Sequence, residues 1–171
     1  MSRQSRWRAM SPADLDTVHA ISRIVHPTLP EDRSVFANRL DIYPPGMRVL
    51  DLDGVASGYC VAHPWCRAEP LPLDFLLERL PEEADSFYLH DLALLPEARG
   101  RRFAYAIVSE IIDQAAGLGL PAISLIAVGG SAPFWERFGF RRTAIQPDKL
   151  LGYGEDARFL TLAVRAEPSS S

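Results

Sequence analysis

The stretch whose reading decides the fold is Tyr88–Ile112, YLHDLALLPEARGRRFAYAIVSEII. Its first part belongs to a buried strand over Phe87–Leu95 that ends at Pro96, a residue with no N–H for a ladder. A Gly/Arg-rich turn follows and opens into a helix expected over Gly100–Leu118. Phe103, Ile107, Val108, Ile111, Ile112 and Ala115 fall on one face of that helix. A helix N-terminus offers unpaired N–H groups and the positive end of a dipole, so the turn suits a pyrophosphate. Arg99, Arg101 and Arg102 add charge of the right sign, in a geometry that matches phosphate. A plain strand-to-helix turn with solvated arginines reads equally well from these residues alone.

Working outward, Asp53-Gly54 between Arg48–Leu52 and Val55–Ala62 is a strong hairpin signal. Upstream, Trp7–Met10 reads as a short strand, and Ser11-Pro12 as the cap and first turn of a helix running to about Val25. A weaker helix is expected over Glu31–Leu40, stopped before Pro44-Pro45. His63–Asp85 is Pro-rich and irregular, with a short amphipathic piece at Leu73–Leu80. A connection of that length in a compact domain points to a lid or substrate loop. Downstream come an apolar strand over Ala122–Val128, a short helix from Ser131 to Phe138 closed by Gly139, and a last strand over Ala157–Val164. Strands and helices in this order imply an α+β domain with a mixed sheet and helices against its faces.

With 171 residues and 47% hydrophobic content the chain fits one globular domain, placed at residues 7–165 between tails at 1–6 and 166–171. The net charge of −4, with both signs interleaved, lacks the basic stripe of a nucleic-acid binder. No apolar run is long enough to span a bilayer, and the N-terminus lacks a signal-peptide core. Cys60 and Cys66 have neither CxxC spacing nor neighbouring ligand residues, so neither a disulfide nor a metal site is expected. A cytoplasmic protein, monomeric or homodimeric, is the expectation.

Pro96, Glu97, Arg99, Gly100 and Ala104 resemble the acetyl-CoA motif of the GNAT acyltransferases, Arg/Gln-x-x-Gly-x-Gly/Ala, with its Pro-Glu-x-Arg-Gly lead-in. Ala132–Phe140, APFWERFGF, is similar to a second block of that family, and the spacing between the two agrees. The likeness covers about Trp7–Arg165 and implies the GNAT fold, a central, mostly antiparallel twisted sheet flanked by helices. It also implies acetyl-CoA as acyl donor, transfer to an amine, and no metal. Pro133-Phe134, Arg137–Phe140 and His90 most resemble the arylalkylamine N-acetyltransferases, whose other strand histidine position holds Tyr88 here. Arg102 stands where the family has its central glycine. Helical dihedrals would admit it, and its Cβ is expected to alter coenzyme affinity.

The resemblance implies a coenzyme site formed by Leu92, Ala93 and Leu94, which pair the pantetheine arm, by Arg99, Gly100, Arg101, Arg102, Phe103, Ala104 and Tyr105, and by Trp135. A backbone N–H near Leu92 would serve the oxyanion. An alkyl ammonium titrates near pH ~10, so the reaction needs a proton acceptor, and His90 is the candidate base. A half-buried strand histidine satisfied by a carbonyl is its structural alternative. If the strand is regular, Asp91 points to the opposite face; the family is known for a bulge there. Trp135 takes the place of the family's tyrosine acid and reads as an acyl-pocket wall, with Tyr153 as the substitute acid. His19, His26 and His63 read as surface or packing residues, the last two bordering the substrate cleft. The acceptor is expected to be a small-molecule primary amine. A protein lysine or N-terminus, and a catalytically impaired acyl-CoA-binding module, are the alternatives.

Overall fold

The computed structural model describes residues 4–165; residues 1–3 and 166–171, within the expected tails, lie outside the described residues. Seven strands form one sheet: β1 (Arg6–Ala9), β2 (Met47–Leu52), β3 (Val55–Trp65), β4 (Ser86–Leu94), β5 (Ala122–Ala127), β6 (Arg141–Arg142) and β7 (Arg158–Ala163). Their spatial order is β1-β2-β3-β4-β5-β7-β6, antiparallel throughout except for β4–β5. The helices are α1 (Leu15–Val25), α2 (Arg33–Ile42), α3 (Phe103–Gly117) and α4 (Ala132–Glu136). The mixed, mostly antiparallel sheet with flanking helices is the one expected.

Two apolar layers hold the helices to the sheet. On one face, Val18 and Ile21 of α1 and Phe36 of α2 pack on Val49, Tyr59 and Val61. On the other, Ile107, Val108 and Ile111 of α3 pack on Phe87, Leu89 and Ile123. Trp7 ties β1 to α3 by donating its indole N–H to the Phe103 carbonyl at 2.9 Å. The next residue, Arg8, grips Asp14 with its guanidinium at 2.8 Å on both oxygens and, by that hydrogen bond, holds its carboxyl down at about 2. The β2–β3 turn takes the left-handed dihedrals its residues favour, with φ of 55° at Asp53 and 92° at Gly54.

Two expected boundaries need correction, and two further features carried no firm expectation. Helix α3 begins at Phe103 rather than Gly100, because Gly100 and Arg102 sit at φ of 73° and 65°, outside any right-handed helix. Strand β3 runs on to Trp65, since His63, Pro64 and Trp65 pair with Tyr88, Phe87 and Ser86. The two-residue β6, pairing with the end of β7, carried no sequence signal. No helix forms over Leu73–Leu80. That segment is pinned by side chains instead. The Asn38 amide bonds both backbone groups of Leu77, and the buried Arg39 donates to the Phe75 carbonyl at 2.6 Å. Leu71 and Leu77 pack on Tyr88.

β4 and β5 are paired only at Phe87↔Ile123 and Tyr88↔Ser124, and beyond those rungs they separate. At the closed end the buried hydroxyls of Ser86 and Ser124 meet at 2.7 Å. From Leu89 onward the β5-side edge of β4 therefore has no strand partner. β4 is also bulged: Val61 pairs with Asp91 and Ala62 with Leu89, leaving His90 as the extra residue.

Candidate active site

The gap between β4 and β5 is part of a cleft of about 1120 Å³. One wall carries Leu92 and Leu94 of β4, and the other Leu125 and Ile126 of β5. At one end lies the turn from Arg99 to Phe103; Phe134 and Trp135 of α4 close the side. Of the residues expected at the coenzyme, Leu92, Leu94, Arg99, Gly100, Arg102, Phe103, Ala104, Tyr105 and Trp135 all line this cleft. Two do not. Ala93 is buried among the α1-side residues, and the Arg101 guanidinium lies over the Phe103 ring. Trp135 packs edge-on against Phe134 and Phe140, as a wall would.

The turn itself is built by left-handed residues. Arg99 donates from Nε to the Leu94 carbonyl at 3.1 Å, folding the turn back on its strand. Arg102 takes φ 65° and ψ 13° as the residue before α3, and its guanidinium stacks on Tyr105 at 5.1 Å. The expectation of helical dihedrals there is thus corrected: the position suits glycine for backbone reasons. Comparing two variants isolates the backbone term. Arg102→Gly and Arg102→Ala both lose the stacking, but only alanine keeps the strain. In urea denaturation Arg102→Gly is expected to be about 0.5–1 kcal/mol the more stable of the two; equal stabilities would contradict this account.

At the other end of the cleft the bulge turns two consecutive side chains, His90 and Asp91, to the same face of the sheet. Each finds a partner from the segment linking α1 to α2. His90 Nε2 meets Glu31 Oε1 at 2.7 Å, and His26 Nε2 meets Asp91 Oδ1 at 2.9 Å. The second oxygen of each carboxylate is also engaged. Glu31 Oε2 accepts the Asp74 backbone N–H at 3.1 Å, and Asp91 Oδ2 accepts the Tyr59 hydroxyl at 2.5 Å. Burial alone would raise both carboxyl pKa values. The charge and hydrogen bond of His90 outweigh it at Glu31, and the hydrogen bonds of His26 and Tyr59 outweigh it at Asp91, so both lie below the ordinary range. For His26 burial works downward, but Asp91 and the charge of Glu31 carry its pKa above the ordinary imidazole value.

His26, Glu31, His90 and Asp91 line the cleft together with Leu29, Leu73, Tyr153 and Asp156. Arginines line the cleft only at the turn, so among the described residues the cavity is cationic at one end and anionic at the other. His63 is not in it. It is buried behind Tyr88, one ring nitrogen meets the Pro64 carbonyl at 3.0 Å, and burial pushes its pKa down to about 3. Tyr153 reaches the cleft wall, but its hydroxyl donates to the Leu71 carbonyl and burial raises its pKa. Glu31 and Asp91 escaped the sequence reading as members of the site, and His26 was read only as bordering the cleft, where it does lie; the bulge implied by resemblance was the one signal that pointed toward Asp91. Among the described residues no His, Cys, Asp or Glu cluster is arranged to hold a metal ion, and no helix is long and apolar enough to cross a membrane.

A bulged β4 splayed from β5, with an arginine-bearing turn leading into α3, is the acyl-CoA N-acyltransferase architecture. Solved structures share it over nearly the whole chain. The ribosomal-protein-S18-alanine N-acetyltransferase from Escherichia coli superposes with a TM-score of 0.68 at 15% identity, covering 98% of this chain and 99% of that one. Naa50 of Arabidopsis thaliana, bound to the bisubstrate analogue CoA-Ac-MVNAL, gives 0.71 at 13% identity over 94% and 99%. The GphF GNAT-like decarboxylase in complex with isobutyryl-CoA gives 0.75 at 17% identity over 94% and 100%. No curated protein sequence matches the chain. The model of the acetyltransferase (GNAT) family matches residues 15–140, and the chain belongs to that family.

Proposed function

We propose that this protein transfers the acetyl group of acetyl-CoA to the amine of a small primary-amine acceptor. The observation that carries this reading is the pair of histidine–carboxylate contacts on the β4 bulge, set at the anionic end of a cleft whose other end is cationic. Arg99, Arg102 and the start of α3 suit the coenzyme's diphosphate. The free edge of β4 offers backbone groups to the pantetheine amide, as an added strand would, and the N–H near Leu92 to the thioester oxyanion. Glu31, Asp91 and Asp156 favour an acceptor that arrives as an ammonium ion.

Attack on the thioester requires the amine to shed protons, which is the role of His90 acting with Glu31. Both side chains are nearly buried, 2% exposed for His90 and 5% for Glu31, and both line the cleft, so the hydrogen-bonded pair takes the proton as a unit. Tyr153 holds Leu71 in the wall. Its raised pKa makes it a weaker acid than the departing thiol, so the sulfur regains its proton from the Glu31–His90 pair.

The small-molecule reading is supported by three segments that ring the acceptor end, contributing Pro27–Leu29, Leu73 and Gly152–Gly154, and by the arylalkylamine-like residues His90, Pro133-Phe134 and Arg137–Phe140. A protein N-terminus is the second reading, favoured by the likeness to Naa50 and to the S18-alanine enzyme. A panel of arylalkyl, alkyl and polyamines beside short unblocked peptides, scored by release of coenzyme A thiol, tests both. Turnover of small amines over peptides is expected; no release above background on any of them would overturn the reading. For an accepted amine, His90→Ala is expected to lower kcat on the order of 10²–10³-fold with coenzyme affinity unchanged.

A further inference from the structure

The two histidine–carboxylate pairs differ in a way that decides what each can touch. An ionised carboxylate only accepts, so in both pairs Nε2 carries a hydrogen, and in the neutral imidazole that leaves the lone pair on Nδ1. In His90 that Nδ1 is buried with no partner. In His26 the ring is 20% exposed, it lines the cleft between Val25 and Pro27, and among the described residues no protein group takes its Nδ1. His26 ends α1 with its backbone N–H on the Ser22 carbonyl at 2.8 Å, so the ring is aimed from a fixed base. Asp91 fixes its tautomer, and the Tyr59 hydroxyl fixes Asp91. This is the logic of a carboxylate-oriented imidazole base.

We propose that His26 is a second catalytic residue, taking a proton directly from the acceptor nitrogen at Nδ1, with Asp91 and Tyr59 as its positioning residues. The proposal rests on the amine-acetyltransferase reading above. Two protons leave the nitrogen during the reaction, and the site holds two acceptors for them. The ammonium gives the first to His26 Nδ1, and the resulting imidazolium releases it to solvent through its exposed edge. The freed lone pair forms the C–N bond at the thioester carbonyl carbon as the C=O pair moves to oxygen. The second proton passes from the cationic nitrogen to the Glu31–His90 pair. The oxyanion then recloses, the C–S bond breaks with its electrons on sulfur, and that proton is returned to the thiolate. Amide, thiol and one free proton balance the equation.

The charged groups facing His26 are Asp91 on β4 and Glu31 before α2, which favour its protonated form, and Arg99 in the β4–α3 turn, which opposes it. As a base His26 works only when neutral. Wild-type kcat/KM should therefore rise with pH through a value above the ordinary imidazole range. The test is the kcat/KM–pH profile of wild type, His26→Gln, His26→Ala and His90→Gln, on the best acceptor from the panel, with coenzyme affinity by calorimetry as the check on folding. Both His26 variants are expected to lose on the order of 10²-fold in kcat, to keep the wild-type coenzyme Kd, and to lose the limb that His90→Gln retains. Loss of affinity for the acceptor alone, with kcat and the limb intact, would overturn the proposal. So would full activity in His26→Gln, and in either case the acetyltransferase reading would stand. Absence of turnover by wild type on every amine would overturn both.

Discussion

Alanine at position 46 is expected to remove most or all of the stability of the fold. Gly46 ends the tight turn between α2 and β2, and the reason for glycine there is space, since its φ is not positive. A Cβ built on it would stand 1.6 Å from the carbonyl oxygen of Ala62 and 2.6 Å from its carbonyl carbon. Neither side can yield cheaply. Ala62 lies inside β3, paired with Leu89 on β4 and next to Val61, which pairs with Met47 on β2. A clash against paired backbone belongs with the exceptional substitutions that cost more than about 4–5 kcal/mol, against a total of roughly 5–15 kcal/mol for a domain. Circular dichroism and urea denaturation would measure it, and a native-like midpoint for Gly46→Ala would refute the geometry. Any folded fraction should also be inactive, because Ala62 and Leu89 form the rung beside the bulge.

The second large effect is expected at Asp91. Asp91→Asn leaves a carboxamide facing two donors, the Tyr59 hydroxyl and the His26 N–H, in a site where the side chain is 11% exposed. Its oxygen can still accept from the His26 N–H while its NH₂ donates to the Tyr59 hydroxyl, which also accepts, so what is lost is the buried charge. A hydrogen bond to a charged group contributes about 1.5–3 kcal/mol against about 0.5–1.5 kcal/mol for a neutral one, and the variant forfeits the difference. The pH dependence separates this from a packing effect. The folded-state pKa of Asp91 is depressed, so its contribution is present above the ordinary carboxylate value and is lost as pH falls through the folded one. His26 is raised, so its contribution is full below the ordinary imidazole value and fades as pH rises through its own. The stability gap between wild type and Asp91→Asn should thus be widest between about pH 4 and 6.5 and narrow on either side. A gap independent of pH would show that the ion pair contributes nothing. On the proposed mechanism the same variant loses kcat about as severely as His26→Gln.

Much of the fold was legible because its signals are local. Asp53-Gly54 prescribes a turn, Pro96 ends a strand, Gly139 closes α4 at φ 98°, and the apolar face of α3 repeats at helical spacing. The site was legible only in part, for the opposite reason. Glu31 meets His90 across 59 residues and His26 meets Asp91 across 65. No periodicity links residues so far apart. Glu31 was read as the first residue of a helix, when by standing just ahead of α2 it is free to turn toward β4. Asp91 depends on the bulge, an irregularity that alternation along the strand cannot reveal. The Leu73–Leu80 segment, read as amphipathic within an irregular stretch, packs Leu77 and Leu80 toward Tyr88 and is held by the Asn38 amide.

The meeting of Ser86 and Ser124 sets how far apart β4 and β5 stand where they begin to diverge. Two hydroxyls bonded only to each other in a dry interior act as a rivet at the hinge of a forked sheet. The width of the fork is therefore established as the chain folds, before any coenzyme arrives. On the proposed reading, a long flexible thioester entering it spends its own freedom but asks the protein for little rearrangement, and binding energy that would otherwise go to prying strands apart is left for aligning the acyl carbon.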